Sequence, residues 1–204
     1  MTTPQEQFWS GDFGDEYSAR NTGAEMLAGN ISLFSEIFGR TGPLESVLEL
    51  GANIGMNVQA IGLVAPSAAI TAVEINAAAA TELAKLDCEV IEESILEWTP
   101  SAANYDFVFT KGVLIHIAPD ALPKVYEKMA ASSRRFVMMA EYYNPSPVAI
   151  DYRGHSERLF KRDFAGEFLD RHQDFRLIDY GFRYHRGTFS QDDFTWFLME
   201  RPSN

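Results

Sequence analysis

The middle of the sequence alternates between short apolar runs and helix-forming segments, and this alternation limits the possible folds more than any other feature. The strand-like runs are residues 46–50, 69–75, 88–93, one within 105–117, and 135–143. Helix-forming segments lie between them at 55–64, 77–86 and 120–131, with Asp120 as the expected N-cap of the last. Tightly connected strands and helices of this kind predict a parallel sheet covered by helices.

The end of the sequence has a different pattern. The strand-like runs "FRLIDYGFRYHR" and "DDFTWFLMER" are separated only by "GTFSQ". A parallel crossover needs about a dozen residues, so these two strands must be antiparallel. We therefore predict an α/β fold of the Rossmann-like type. Its sheet has seven strands, mostly parallel with a C-terminal antiparallel hairpin, and helices on both faces.

The first forty-odd residues are expected to form a helical cap. An apolar stripe at helical spacing (Leu27, Ile31, Phe34, Phe38) ends at "GRTGP", residues 39–43. Before it, "FWSGDFGDEYSARN" mixes aromatic and acidic residues with two glycines. We expect two parts: residues 1–43 as a cap or lid, and residues 44–204 as the ligand-binding domain.

Charge and cysteine content exclude several classes of function. The net charge of −12 argues against nucleic acid as the main partner and fits a cationic or neutral small substrate. The single cysteine, Cys88, excludes an internal disulfide and a multi-cysteine zinc site, and we expect no metal. The N-terminus does not resemble a secretory signal and no run is long enough to cross a membrane, so we expect a cytoplasmic protein. The sequence does not determine the oligomeric state, and a homodimer is one of the states that it allows.

Ligands of such sheets bind beyond the carboxyl ends of the strands. After the first strand, Gly51 permits a tight turn and Gly55 a close approach of the next helix, with Glu49 just before them. Glu74 ends the second strand, nineteen residues past Gly55, which is the spacing of an acid that binds ribose hydroxyls. Together they indicate a nucleoside-bearing cofactor, the alternative being a tight turn without a ligand.

The later loops offer further candidates. Ser94 could bond an adenine edge while Ile95 packs on its face. His116 could act as a base near neutral pH or be a packed core residue. The run from Glu141 to Asn144 gathers polar groups at the end of the fifth strand. Three cationic candidates, Arg153, His155 and Arg158, could pair with an acidic substrate group or with the N-terminal acids.

These motifs, in this order, resemble class I S-adenosylmethionine-dependent methyltransferases. "ELGANIG" keeps the acid and the outer glycines of that family's first motif but has Asn53 in the middle. A dinucleotide pyrophosphate would need closer approach there, so Asn53 disfavours NAD. "FWSGDFGDEYSARN", "TKGVLIHI", "EYYNPSPVAIDYRGHSERLFKRDFAGEF" and "DYGFRYHR" are also similar to the group of pseudaminic acid biosynthesis-associated methylases.

The resemblance implies S-adenosyl-L-methionine as cofactor and S-adenosyl-L-homocysteine as product. The residues that it implies for cofactor binding are Glu49, Gly51, Asn53, Gly55, Glu74, Ile75, Ser94, Ile95, Thr110, Gly112 and Val113. Glu49, Gly51 and Gly55 would meet the methionine end, and Glu74 the ribose. Ser94 and Ile95 would meet the adenine, and Thr110, Gly112 and Val113 the methyl-transfer side.

The resemblance does not identify the base. The candidates are His116, Glu141, Tyr142, Tyr143 and Tyr17, with Asp12, Asp15 and Glu16 beside them. The expected substrate is a small polar amine or guanidine, such as an amino acid or amino sugar, and N-methylation is favoured over O-methylation. The alternative is a non-catalytic methyltransferase-like partner protein that binds the cofactor.

The aromatic residues of the N-terminal segment are lid candidates. Phe8, Trp9, Phe13 and Tyr17 could close over the site, with Gly11 and Gly14 as hinges. Alternatively, the segment is a helix packed permanently on the sheet edge.

Overall fold

The computed structural model describes residues 3–20, 22–100, 104–152 and 155–202, without the side chains of residues 19, 20, 152 and 155–158. The helices are α1 Pro4–Ser10, α2 Asp12–Arg20, α3 Ala24–Thr41, α4 Met56–Val64, α5 Ala77–Leu83, α6 Leu122–Ser132 and α7 Phe164–Arg171, with a 3-10 turn at Leu114–His116. The strands are β1 Ser46–Leu50, β2 Ala69–Glu74, β3 Glu89–Glu92, β4 Tyr105–Lys111, β5 Ser133–Glu141, β6 Val148–Tyr152, β7 His155–Lys161, β8 Arg176–Arg183 and β9 Phe194–Glu200.

Seven of the strands form one sheet in the order β3-β2-β1-β4-β5-β9-β8. The pairs β1–β2, β2–β3 and β4–β5 are parallel, whereas β9 runs antiparallel to both β5 and β8. In β1, which lies inside the sheet, Val47, Leu48 and Leu50 are all completely buried, as expected for a strand covered on both faces. The predicted seven-stranded sheet with its C-terminal antiparallel pair is confirmed.

The chain divides into two compact units. Unit 1 comprises Met1–Trp98 with His185–Gln191 and contains α1 to α5 and β1 to β3. The separate segment belongs to it because the Gln191 amide donates a hydrogen bond to Asn30 Oδ1 in α3 at 2.8 Å, and Gln191 packs closely on Gly29.

Unit 2 comprises Thr99–Tyr184 with Asp192–Asn204 and contains α6, α7 and the remaining strands. Trp196 of β9 is its largest fully buried side chain. Its indole lies against Gly181 of β8, where an added Cβ would come within 2.7 Å of the ring. The β6–β7 hairpin forms a separate two-stranded antiparallel sheet. The expected boundary at residue 43 stays a prediction.

Several local expectations differ from the structure. Helix α3 continues through Gly39 to Thr41, and Gly42 ends it with a φ of 71°. Asp120 is not the N-cap of α6, because the helix begins at Leu122 and Ala121 takes the N-cap position without a side-chain bond. Proline is well suited to the first turn of a helix, and Pro123 lies in the first turn of α6.

The β6–β7 hairpin is absent from the sequence-based prediction. Its residues include many charges, and glycine and proline interrupt the alternation that marks a strand. Of the cationic candidates here, Arg153 lies outside the described residues, as do the side chains of His155 and Arg158. Within the described ranges, no helix is both long enough and apolar enough to span a membrane.

Candidate functional site

The loop after β1 has three left-handed residues at alternate positions. Gly51, Asn53 and Gly55 have φ angles of 80°, 50° and 83°. The N–H groups of Gly51 and Ala52 both donate to the carbonyl of Val73, at 2.8 and 3.1 Å. The two glycines of the motif thus lie at positions where the backbone is left-handed, a conformation that glycine adopts without strain.

Asn53 replaces a glycine in this loop for identifiable reasons. Asparagine is one of the few other residues that readily adopt the left-handed conformation. Its side-chain Oδ1 accepts a hydrogen bond from the N–H of Ile54, and its own N–H donates to Glu74 Oε2, each at 2.6 Å. The middle residue therefore links the β1 loop to the end of β2.

Gly55 connects the loop to α4. Its φ of 83° disfavours any residue with a side chain, and a Cβ here would also lie 2.7 Å from Leu83 Cδ1 and closer still to Leu86 Cδ1, so both leucines would have to shift. No side chain caps α4 in the part of the chain described here. The first N–H groups of this helix are therefore available as donors beside the loop.

Glu49 is in β1, two residues before the first glycine of the same loop. It is 1% exposed, and its Oε1 accepts a hydrogen bond from the Asn57 side chain at 2.6 Å. Asn57 is in the first turn of α4. The motif acid thus tethers strand to helix across the turn.

Glu74 is a buried acid at the end of β2 in unit 1. Its carboxylate accepts hydrogen bonds from the N–H of Asn53 at 2.6 Å and of Asn76 at 2.7 Å. Burial raises the pKa of Glu74 above its usual value, although these N–H groups favour the ionised form. The carboxylate is 6% exposed and is fixed where the β1 and β2 loops meet. Ile75, the next residue, is half-buried.

Ser94 and Ile95 follow β3 as predicted, but Ser94 has an unexpected partner. Its hydroxyl accepts from the N–H of Leu96 at 3.0 Å and donates to Glu6 Oε1 in α1. Ile95 is buried. The pattern Thr3-x-x-Glu6 could have indicated the start of a helix, but not that Glu6 reaches the end of β3.

The N-terminal helices pack on the loop after β2. The Asn76 side chain donates to Asp15 Oδ1 at 2.8 Å and to the carbonyl of Trp9 at 3.2 Å. Gly14 lies inside α2, and a Cβ there would clash with the Trp9 carbonyl and lie 2.8 Å from Asn76 Nδ2. Gly14 therefore allows close packing within a helix, and the roles of Gly11 and Gly14 as hinges stay predictions.

The predicted lid aromatics form one cluster in unit 1. The ring of Trp9 lies 5.7, 5.4 and 5.1 Å from those of Phe8, Phe13 and Tyr17. Tyr17 is half-buried in this cluster, while Asp12, Asp15 and Glu16 are exposed. Whether the segment moves stays a prediction.

In unit 2, Glu141 holds the turn that follows β4. Its Oε1 accepts from the N–H groups of Val113 and Leu114, each at 3.1 Å, and its Oε2 from that of Ile115 at 3.4 Å. Burial raises the pKa of Glu141 to about 7, against the effect of these hydrogen bonds. This carboxyl therefore fixes a turn and also titrates near neutral pH.

The other candidates of the β4 loop lie in the same turn. Gly112 has a φ of 69°, and its N–H donates to the carbonyl of Ala140 at 2.9 Å. Thr110 is fully buried and His116 is 6% exposed. Thr110, Gly112, Val113 and Glu141 thus lie near one another where the parallel strands β4 and β5 end.

The two tyrosines after β5 have different environments. The ammonium of Lys161 lies 5.1 Å from the ring centre of Tyr142. Tyr143 is 42% exposed, and its ring lies 5.7 Å from that of Phe197. The roles of both in catalysis stay predictions. No group of three or more metal-binding side chains occurs among the residues that the structure describes.

Comparisons with known proteins establish the fold. No protein-family model matches the sequence, and a search of curated proteins finds no match. Magnesium protoporphyrin IX methyltransferase from Synechocystis PCC 6803, solved with S-adenosylmethionine, matches over 98% of both chains with a TM-score of 0.69 and 11% identity.

Two further solved structures show the same likeness. A 1,6-didemethyltoxoflavin-N1-methyltransferase from Burkholderia thailandensis, with its substrate and S-adenosylhomocysteine bound, is 15% identical with a TM-score of 0.73, covering 98% of this chain and 87% of that one. The plantazolicin methyltransferase BpumL, bound to S-adenosylhomocysteine, is 12% identical with a TM-score of 0.67, over 98% and 94% of the chains. The chain therefore has the Rossmann-like methyltransferase fold.

Proposed function

We propose that this chain is an S-adenosylmethionine-dependent methyltransferase. The observation that carries the proposal is the buried carboxylate of Glu74, which the N–H groups of Asn53 and Asn76 hold at the end of β2. Proteins of the same fold have been solved with S-adenosylmethionine or S-adenosylhomocysteine bound. The chain thus combines the fold of those proteins with a buried carboxylate whose chemistry suits ribose hydroxyls.

The proposed cofactor residues have complementary chemistry. Glu74 presents acceptor oxygens to the two ribose hydroxyls. The N–H groups at the start of α4 and the left-handed loop from Gly51 to Gly55 suit the methionine end. Ile75, Ser94 and Ile95 suit the adenine.

Asn53 favours this cofactor over NAD. A dinucleotide pyrophosphate approaches the backbone where the fingerprint has its second glycine. Here that position carries a side chain bonded to Ile54. A loop that contacts an amino-acid moiety needs no such close approach.

S-adenosylmethionine, when bound, supplies an already activated methyl group. The chain's own work is then to orient the nucleophile and to exclude water. An amine must be deprotonated first, and a carboxyl or imidazole that titrates near neutral pH suits that step. Thr110, Gly112 and Val113 are further cofactor candidates, and His116, Glu141, Tyr142, Tyr143 and Tyr17 are the candidates for the base, as predicted from sequence.

We favour N-methylation of a small amine or guanidine, such as an amino acid or amino sugar. The net charge of −12 and the exposed acids Asp12, Asp15 and Glu16 favour a cationic substrate. The sequence motifs that resemble pseudaminic acid biosynthesis-associated methylases are compatible with a sugar substrate. The neighbours named above act on chemically different molecules, so the fold itself does not select the substrate.

Calorimetry with S-adenosylhomocysteine tests the cofactor site. Glu74→Ala removes two charge-assisted hydrogen bonds to the ribose, and the affinity should fall at least about 100-fold. Glu82→Ala, an exposed glutamate of α5, is the matched control and should bind like the wild type. An unchanged affinity of Glu74→Ala would remove this residue from the site.

Turnover distinguishes the enzyme from the non-catalytic alternative. Amines, guanidines and sugar nucleotides are screened for release of S-adenosylhomocysteine. We expect turnover with a cationic amine or guanidine. Cofactor binding without turnover on any of these compounds would favour the partner-protein alternative.

The N-terminal segment is proposed to cover the site during turnover. Deleting residues 1–20 removes the helices that bond to Asn76 and Ser94, and turnover should fall strongly while the rest of the protein stays folded. A folded truncated protein with full turnover would contradict a role as lid.

A further inference from the structure

Glu6 is a buried acid to which neither cofactor binding nor catalysis has been assigned above. It is 7% exposed, although it lies in α1, a helix of seven residues near the N-terminus. Its Oε2 accepts from the N–H of Thr3 at 2.6 Å, the usual bond of a capping box. Its Oε1 accepts from the hydroxyl of Ser94.

The position of Ser94 shows what Glu6 adjoins. The N–H of Glu93 donates to the carbonyl of Glu74 at 3.0 Å, so Ser94 comes one residue after the point where β3 leaves β2. Resting on the proposed function, Glu74 holds the ribose, and the base attached to that ribose then extends toward the end of β3. Glu6 therefore lies at the base side of the nucleoside.

The chemistry of Glu6 selects a donor. Burial raises the pKa of Glu6, but the hydrogen bonds from Ser94 and Thr3 outweigh it and hold the pKa below its usual value. An ionised carboxylate only accepts hydrogen bonds and has room for about four. The Ser94 side chain and the backbone and side chain of Thr3 interact with the Glu6 carboxylate here, which leaves capacity for one more donor. The exocyclic amino group of adenine is a donor of this kind.

We propose that Glu6 recognises the 6-amino group of the cofactor's adenine and so makes the N-terminal helix a determinant of base specificity. The structural alternative is that Glu6 only caps α1 and ties it to Ser94. The two roles differ in one respect. A tether affects every ligand equally, whereas an acceptor for the amino group affects only ligands that carry it.

The test compares two ligands by calorimetry: S-adenosylhomocysteine and its analogue in which hydrogen replaces the 6-amino group. The wild type should prefer the first by about 10- to 100-fold, the range for a hydrogen bond to a charged group. Glu6→Ala should bring this ratio close to one. Glu6→Gln, which keeps the size of the side chain, should lower it to an intermediate value.

Thr3→Ala is the matched control, since it removes the other half of the capping box but leaves Glu6 beside Ser94. It should weaken both ligands equally and keep the wild-type ratio. A wild-type ratio near one, or a ratio unchanged in both Glu6 variants, would overturn the proposal while the methyltransferase assignment stands. A wild type that binds neither ligand would instead overturn the proposed function and, with it, this inference.

Discussion

Glu141→Gln is expected to remove a pH dependence of stability. The carboxyl is 3% exposed, and burial raises its pKa from the usual 4.5 to about 7. The folded state therefore holds this proton more tightly than the unfolded state. The stability from this group is fully present below pH 4.5 and is lost as the pH rises to about 7. A difference of this size corresponds to about 3 kcal/mol in the free energy of unfolding.

Urea denaturation between about pH 5 and pH 8 measures this contribution. Glutamine keeps an acceptor for the N–H groups of Val113 and Leu114 but does not titrate. As the pH rises over this range, the wild type should lose up to about 3 kcal/mol of its free energy of unfolding through Glu141. Glu141→Gln should not show this loss. Glu25→Gln, at an exposed position of α3, should retain the wild-type slope. Equal slopes for Glu141→Gln and the wild type would refute the reasoning, because Glu141 would then be ionised throughout.

Three glycines give further tests, each read by thermal or urea denaturation. Gly14→Ala places a Cβ against the Trp9 carbonyl and should cost about 1–3 kcal/mol, and a stable variant would contradict the observed packing of α1 on α2. Gly39→Ala, a helical glycine with nothing within 4 Å of the added Cβ, should instead add about 0.5–1 kcal/mol, and a loss of stability would be inconsistent with an open site. Gly55→Ala combines a φ of 83° with contact to Leu83 and should lower both stability and affinity for S-adenosylhomocysteine, so wild-type behaviour would count against the loop conformation.

The sheet could be predicted because its physical causes are local. The parallel strands β1, β2, β4 and β5 each contain a short apolar run, and the short connection before β9 permits only antiparallel pairing. The spacing of Gly51, Asn53 and Gly55 likewise reflects a local backbone requirement. Glu74 could be identified because a strand-end acid at that spacing has a specific chemical use.

The remaining features depend on contacts between distant residues. Glu6 and Ser94 are 88 positions apart, and nothing in either local sequence indicates the other. The sequence shows only that Glu141 is an acid at the end of a strand. It does not show whether the carboxylate faces a substrate or three backbone N–H groups. Gly14 is compatible with a hinge by its residue type alone, and only the nearby Trp9 carbonyl shows why a side chain is excluded.

The central claim is that the chain binds a methionine-bearing nucleoside, and one calorimetric comparison tests it most directly. The wild-type chain is titrated with S-adenosylhomocysteine and, separately, with NAD. The Glu74 carboxylate and the Asn53 loop predict saturable binding of S-adenosylhomocysteine, one molecule per chain, and no binding of NAD. Saturable binding of NAD with none of S-adenosylhomocysteine would contradict the account.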